Sequence, residues 1–414
     1  MSGYPRRVPL PPAFDLDRAV ADVHWMVDEL GPRVHGSSAE RAAADGVRAR
    51  LEAAGWTVQT VGLDGNHVAC RGRGGRLFLA HIDSVPGSPG AVDNAAAVAT
   101  LLELARTTAA TDLCLAFPVG EEVGLRGSVA LAGAPSRWHP GGALPGLVVA
   151  LDLTGHGTLS MMGLGPAWGP DRLRWLVAHL DPLPDTSFPY TIYSRQLPQA
   201  ERSDHAPFGI QGVPSLLLLG RGESGVFHRY HQAGDDRVEP AALAETAAAL
   251  EALATAPLPP PRRPGRVGDA SFVAAGRFVP GWLVWATLAA GAAAALRGLR
   301  RWREIPDFLG RAAAATAATG MLTAPLVGGG LFPIHPAERT AEAVMGIGAS
   351  GWWFGALPAL VLGAGAFLGL RHLLGPRGSA PLAAGALALP LALVDPVLAL
   401  PWAAGAVLGA LHPL

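Results

Sequence analysis

Up to about residue 250 the chain alternates charged and apolar segments, and after residue 278 it is dominated by Ala, Leu, Gly and Val. In the first part, apolar residues at helical spacing predict a helix over 15–30. A second is predicted over 37–54, with Ser37 or Ser38 as N-cap and Gly55 as terminator. Residues 56–61 and 67–70 read as strands. The runs 77–80, 113–119, 147–151 and 215–219 are short and uniformly apolar, as strands covered on both faces must be. An Ala- and Leu-rich helix is predicted over 94–106 and a terminal one over 239–254. Strands alternating with helices imply an α/β fold, a mixed, largely parallel sheet flanked by helices. In such sheets ligands gather beyond the carboxyl ends of the strands.

The pattern then changes. Residues 257–266 are rich in Pro and Arg, and residues 278–296 carry no charge and are about long enough to span a bilayer. Similar stretches follow at 312–334, 344–370 and 380–411, the last broken by Asp395-Pro396. The expected organisation is a catalytic domain over 1–256, a linker over 257–275, and an all-α transmembrane region of four or five helices over 276–414, with the lipid bilayer as a partner. The basic loops at 297–303 and 371–377 would face the cytoplasm by the positive-inside rule, which puts the catalytic domain outside. Against this, residues 1–20 hold prolines and charges and no apolar run, so no signal peptide is read there. The linker arginines Arg262, Arg263 and Arg266 also favour the inside, and the expectation leans to a cytoplasmic-facing domain in a multi-pass membrane protein.

Composition removes some classes. The 414 residues carry a net charge of -1, with 16% charged, and every basic residue is Arg. No basic face for nucleic acid is expected. Cys70 and Cys114 lie in apolar strand-like runs and are expected as two buried core thiols.

The chemistry lies in five short segments: His81-Ile82-Asp83, Ala91-Val92-Asp93-Asn94, Gly120-Glu121-Glu122, Leu151-Asp152-Leu153 and Tyr230-His231. Several fall where a buried strand ends. Two histidines and three carboxylates suffice to hold a pair of zinc ions, with one carboxylate left as a base. Two adjacent glutamates can divide that labour, because neighbouring side chains on an extended segment point differently. Asp83, two residues after His81, is placed to orient the imidazole.

These segments, with Leu101-Leu102-Glu103-Leu104-Ala105-Arg106, Ser203-Asp204-His205-Ala206-Pro207-Phe208, Gly212-Val213-Pro214 and Gly31-Pro32-Arg33, resemble in order the two-zinc aminopeptidase family. That family includes bacterial and yeast zinc aminopeptidases, glutamate carboxypeptidase and glutaminyl cyclase. The resemblance covers about 15–250 and implies a zinc-exopeptidase fold and a peptide substrate. It implies His81 and Asp152 on one zinc, Glu122 and His231 on the other, and Asp93 bridging. It further implies Glu121 as general base, Tyr230 as a stabiliser of the developing oxyanion, and a cis Asp93-Asn94 peptide. His228 is a rival to His231. Ser203, Asp204 and His205 read as scaffold around the site, since adjacent residues cannot form a triad. Val92 stands where the family often has an acid, and Ala96-Ala97 replaces a small polar pair. The expected function is a membrane-anchored aminopeptidase. The competing readings are a glutaminyl cyclase working at one zinc, a non-catalytic receptor on the same fold, and a transporter-like role for the spans. The specificity pocket is expected within 155–199, and oligomeric state is left open.

Overall fold

The computed structural model describes residues 11, 13–62, 65–165, 167–186, 194, 201–221, 229–261, 270–274 and 277–298. The chain divides into two compact units, residues 1–265 with 272–278, and residues 266–271 with 279–414.

The first unit is built on a sheet of strands β1 (Val58–Val61), β2 (Asn66–Arg71), β3 (Arg76–Leu79), β4 (Leu113–Phe117), β5 (Leu147–Asp152), β6 (Thr158–Met162) and β7 (Ser215–Arg221), in the order β1-β2-β4-β3-β5-β7-β6. The central strands β4, β3, β5 and β7 run parallel. The edges are antiparallel, β1 on β2, β2 on β4, and β6 on β7. Successive residues of each central strand serve opposite faces. Phe78, Leu115, Val149 and Leu218 join one buried cluster, and Leu77, Leu79, Cys114, Val148 and Leu217 join the other. A strand covered on both sides has no polar face to show, which is why these runs are uniformly apolar.

The first cluster is closed by helices α1 (Leu16–His24), α2 (Ser38–Ala53), α3 (Ala96–Thr107) and α7 (Pro240–Thr255). The first two start on side-chain caps, while α3 and α7 have none. Asp15 accepts from the Arg18 amide and Ser37 from the Glu40 amide, each satisfying one otherwise unpaired N–H. A π-helical turn, Trp25–Leu30, completes the element expected over 15–30. Gly55 ends α2 at φ 79°. The second cluster is covered by α4 (Arg126–Gly133) and α6 (Ala206–Ile210). A further helix, α5 (Pro170–His179), packs on the stretch expected to begin the linker: Trp175 Nε1 donates to the Pro257 carbonyl and Arg172 Nε to that of Pro260, both at 3.0 Å. Strands β8 (Phe272–Ala274) and β9 (Arg277–Val279) form a separate pair.

Two expectations are corrected. Cys70 and Cys114 are not free thiols but a disulfide. They are direct partners in the antiparallel β2–β4 register, a neighbourhood that only the sheet pairing reveals. The stretch 278–296 does form a helix, α8 (Gly281–Gly298), but among the described residues no helix is long and apolar enough to cross a membrane. At 18 residues α8 is barely one bilayer core long, and its length includes Thr287, several glycines and Arg297. The stretches expected as the remaining spans lie outside the described residues.

Candidate metal centre

The switch in strand order falls at β3, which has β4 on one side and β5 on the other. Beyond the carboxyl ends of these strands the site is assembled. His81 and Asp83 follow β3, Glu121 and Glu122 follow β4, and Asp152 is the last residue of β5. Asp93 lies in the turn before α3, and His231 in the loop between β7 and α7.

The side chains fall into two groups, His81 with Glu121 and Asp152, and Asp93 with Glu122 and His231, the ligand atoms of each lying within 4.8 Å of one another. Asp93 reaches both. Its Oδ1 is 3.4 Å from His81 Nε2 and its Oδ2 is 3.2 Å from His231 Nε2. His81 Nε2 is 3.9 Å from Asp152 Oδ1, and His231 Nε2 is 3.1 Å from Glu122 Oε2. The adjacent glutamates therefore point into different groups. His228, the rival histidine, lies outside the described residues.

Asp83 does more than the spacing suggested. His81 Nδ1 contacts the Asp83 backbone carbonyl at 3.1 Å, and since a carbonyl only accepts, Nδ1 carries a proton, which leaves Nε2 as the nitrogen available to a metal. The Asp83 carboxylate accepts the amides of Glu121, at 3.1 Å, and Glu122, at 3.0 Å. It thus fixes the turn that carries both glutamates. Asn94 Nδ2 donates to the Leu151 carbonyl at 2.8 Å, tying the Asp93 turn to the end of β5. The Asp93-Asn94 peptide is cis, as the resemblance implied. Tyr230 stacks on the His231 ring with centroids 3.6 Å apart. His231 sits at φ 59°, a conformation a non-glycine residue adopts only when its surroundings hold it there.

The electrostatics are those of crowded carboxylates. Burial pushes Glu121 well up, with Glu122, Asp152 and Asp204 adding to it. Burial and then Asp93 push Glu122 up to about 7. Burial opposes the charged form of His81, but Glu121 and the nearby carboxylates of Asp152, Asp83 and Asp93 outweigh it and hold its pKa well above the ordinary value. In His231 burial is likewise outweighed by Asp93 and Glu122, which raise it to about 10. Asp93 is also desolvated, yet its two imidazole partners hold it below the usual carboxylate range. Burial and the surrounding carboxylates keep the Tyr230 hydroxyl protonated far above its ordinary pKa.

These residues fit a metal. His81 Nε2, Glu122 Oε1 and Asp152 Oδ1 are buried with no hydrogen-bond partner, an arrangement that costs free energy unless something positive is coordinated. Imidazole with carboxylate oxygen is a donor set that zinc accepts. A dication balances the carboxylates with no need for bound protons.

The segment Ser203-Asp204-His205 forms no triad, since His205 Nε2 pairs with Glu201 Oε2 at 3.0 Å. Asp204 is fully buried near the site, and burial, with Asp83 and Asp152 adding, lifts it to about 6. Arg33, from the Gly31-Pro32-Arg33 segment, and Asp235, four residues after His231, are also structural partners of the site. Arg33 and Asp235 are both completely buried and bond the backbone around Asp93. No local pattern marks them, because their partners are main-chain atoms distant in sequence. Part of the region expected to line a specificity pocket lies outside the described residues.

Residues 71–254 match the family described as Peptidase family M28. No curated protein sequence matches the chain. Among solved structures, the chain is similar to Porphyromonas gingivalis glutaminyl cyclase at 20% identity and TM-score 0.48, over 59% of this chain and 99% of that one. It is similar to BSAP, a zinc aminopeptidase from Bacillus subtilis, at 16% identity and TM-score 0.47, over 59% and 95%. It is similar to the Legionella pneumophila LapA aminopeptidase at 16% identity and TM-score 0.49, over 60% and 73%. The match over residues 71–254 to a peptidase family supports a zinc-dependent hydrolase.

Proposed function

We propose that the protein is a metallo-aminopeptidase that removes N-terminal residues from peptides at a pair of zinc ions. The observation that carries this reading is Asp93, whose two carboxylate oxygens face His81 and His231 separately at 3.4 and 3.2 Å. One carboxylate addressing both ligand groups suits two metals and hydrolysis better than the single zinc of a cyclase. His81 and Asp152 would hold one ion, Glu122 and His231 the other, and Asp93 would bridge. Zinc held there supplies Lewis acidity toward the scissile carbonyl.

This chain's own residues then divide the work. Glu121 takes a proton from the attacking water as the new C–O bond forms, and returns it to the departing amine as the C–N bond breaks. The neutral Tyr230 hydroxyl donates to the carbonyl oxygen as negative charge develops on it. Asp83, through its bonds to the Glu121 and Glu122 amides, holds the base and its neighbouring ligand in register. The test is hydrolysis of aminoacyl-p-nitroanilides by the full chain with zinc, beside Glu121→Gln. Turnover that disappears in the variant and with chelator supports the proposal. Cyclisation of N-terminal glutaminyl peptides at one bound zinc, without hydrolysis, would replace it with the cyclase.

We also infer that the catalytic unit works in an oxidising compartment, anchored to a membrane by the apolar stretches within 299–414. The Cys70–Cys114 disulfide supports the first part, since such bonds persist outside the reducing cytosol. Alkylation of the isolated chain, unfolded in denaturant without reductant, should leave both cysteines unmodified; two alkylated thiols would overturn the assignment.

A further inference from the structure

The segment from Pro89 to Asp93 delivers Asp93, and from Gly90 on it is buried, with Ala91 and Val92 shut off completely. Water cannot serve its backbone there, so each N–H and C=O needs a protein partner. The partners come from two side chains of opposite charge. Arg33 Nη1 donates to the Pro89 carbonyl at 2.7 Å and Nη2 to that of Gly90 at 3.0 Å. Asp235 takes the other end: its backbone carbonyl accepts the Ala91 amide at 3.0 Å, its Oδ1 the Val92 amide at 2.8 Å and its Oδ2 the Asp93 amide at 3.1 Å.

Neither residue stops at this segment. Arg33 Nε donates to the Ile82 carbonyl at 2.9 Å, one residue past His81. Asp235 belongs to the loop that carries His231, and its own amide donates to Gln232 at 3.0 Å. One cation and one anion therefore link the backbones that bear His81, Asp93 and His231. The residue types are what the task demands. Arg offers five donors in a rigid planar fork and stays charged when buried, whereas Lys offers three donors on one atom. Gly90 sits at φ 62°, and a Cβ there would press on Arg33 Nη2 and the Asp93 carbonyl.

We propose that Arg33 and Asp235 are positioning residues for the metal pair, setting the place of Asp93 between the two histidine-bearing segments. This rests on the two-zinc reading above. The consequence concerns metal before turnover: loosening either end lets the bridging carboxylate drift, and the zinc shared with His231 is held less tightly.

The experiment titrates zinc into the full chain against a competing chelator and records melting temperature in parallel. It compares the wild type with Arg33→Lys, Asp235→Asn and Gly90→Ala. Glu103→Gln serves as a control that weakens a buried ion network away from the metals. Loss of a residue that orients ligands typically costs roughly 10- to 100-fold in metal affinity. That drop is expected for the weaker zinc in Arg33→Lys and Asp235→Asn, with kcat reduced and KM little changed. Glu103→Gln should melt lower and bind zinc as the wild type does. Wild-type zinc affinity in the folded clamp variants would overturn the proposal, as would an affinity loss in Glu103→Gln matching theirs at equal loss of melting temperature. If Arg33→Lys does not fold, Asp235→Asn decides alone. A wild-type chain that binds one zinc or none overturns the two-zinc reading itself, and is told apart by that count.

Discussion

Two clusters of buried carboxylates are built by opposite means. Between α1, α2 and α3, Arg18 bonds Glu103 at 2.6 Å, Arg106 reaches Asp22 at 2.6 Å and Glu103 at 3.1 Å, and Arg50 holds Asp22 at 2.8 Å. Every carboxylate there has a guanidinium, and the cluster is complete within the chain. Beyond the strand ends, Asp93, Glu121, Glu122 and Asp152 converge with only imidazoles between them, and several polar atoms lack partners. The first arrangement stabilises three helices against one another. The second is unfavourable until a cation arrives, and a site that binds is built from such incompleteness.

The contrast can be tested by removing one carboxylate from each cluster. Glu121→Gln should reduce turnover by roughly 10²- to 10⁴-fold, the usual worth of a general base, with zinc content unchanged. Loss of bound zinc in that variant would make Glu121 a ligand and dissolve the division between it and Glu122. Glu103→Gln should cost about 3 kcal/mol of stability in a denaturant titration, as breaking a buried pair does, with turnover per folded molecule preserved. A smaller loss in Glu103→Gln than in Glu121→Gln, measured on the metal-free chain, would erase the contrast.

The smallest effect is one of sign. In the metal-free chain Glu122 is raised from 4.5 to about 7, so its protonated form is favoured by folding. That contribution is full below pH 4.5 and lost as pH rises through about 7. His231, raised from 6.5 to about 10, adds stability below pH 6.5 that is lost toward pH 10. The metal-free chain should therefore melt lower at pH 8 than at pH 5. With zinc the trend should reverse, because ligands bind metal only when deprotonated. A metal-free chain that gains stability over that interval would contradict the description of the site.

Much of the central architecture was legible because each central strand is apolar at every position and each early helix carries its own cap. Strand β6 and helices α4 and α5 escaped because their segments are glycine-rich or carry no long apolar period; α4 starts after Leu125, at φ 57°, which no propensity foretells. The residues the structure brings together at the site were all among those named from the sequence, since their types and order carry the pattern. What their neighbours do was not legible. Spacing suggested that Asp83 orients His81, and only the folded turn shows its carboxylate on the Glu121 and Glu122 amides. The Cys70–Cys114 bond depends on strand register, and the bonds of Arg33 and Asp235 on main-chain atoms far away in sequence.

The strand order also sets a timetable. The residues proposed as ligands leave the ribosome in the order His81, Asp93, Glu122, Asp152, His231, and the last follows β7, which inserts between β5 and β6. A nascent chain that has passed Asp152 already owns the whole first ligand group, while the second still lacks its histidine. A chain interrupted before β7 therefore carries His81, Glu121 and Asp152 but lacks His231, and the group of Asp93 and Glu122 stays incomplete in it.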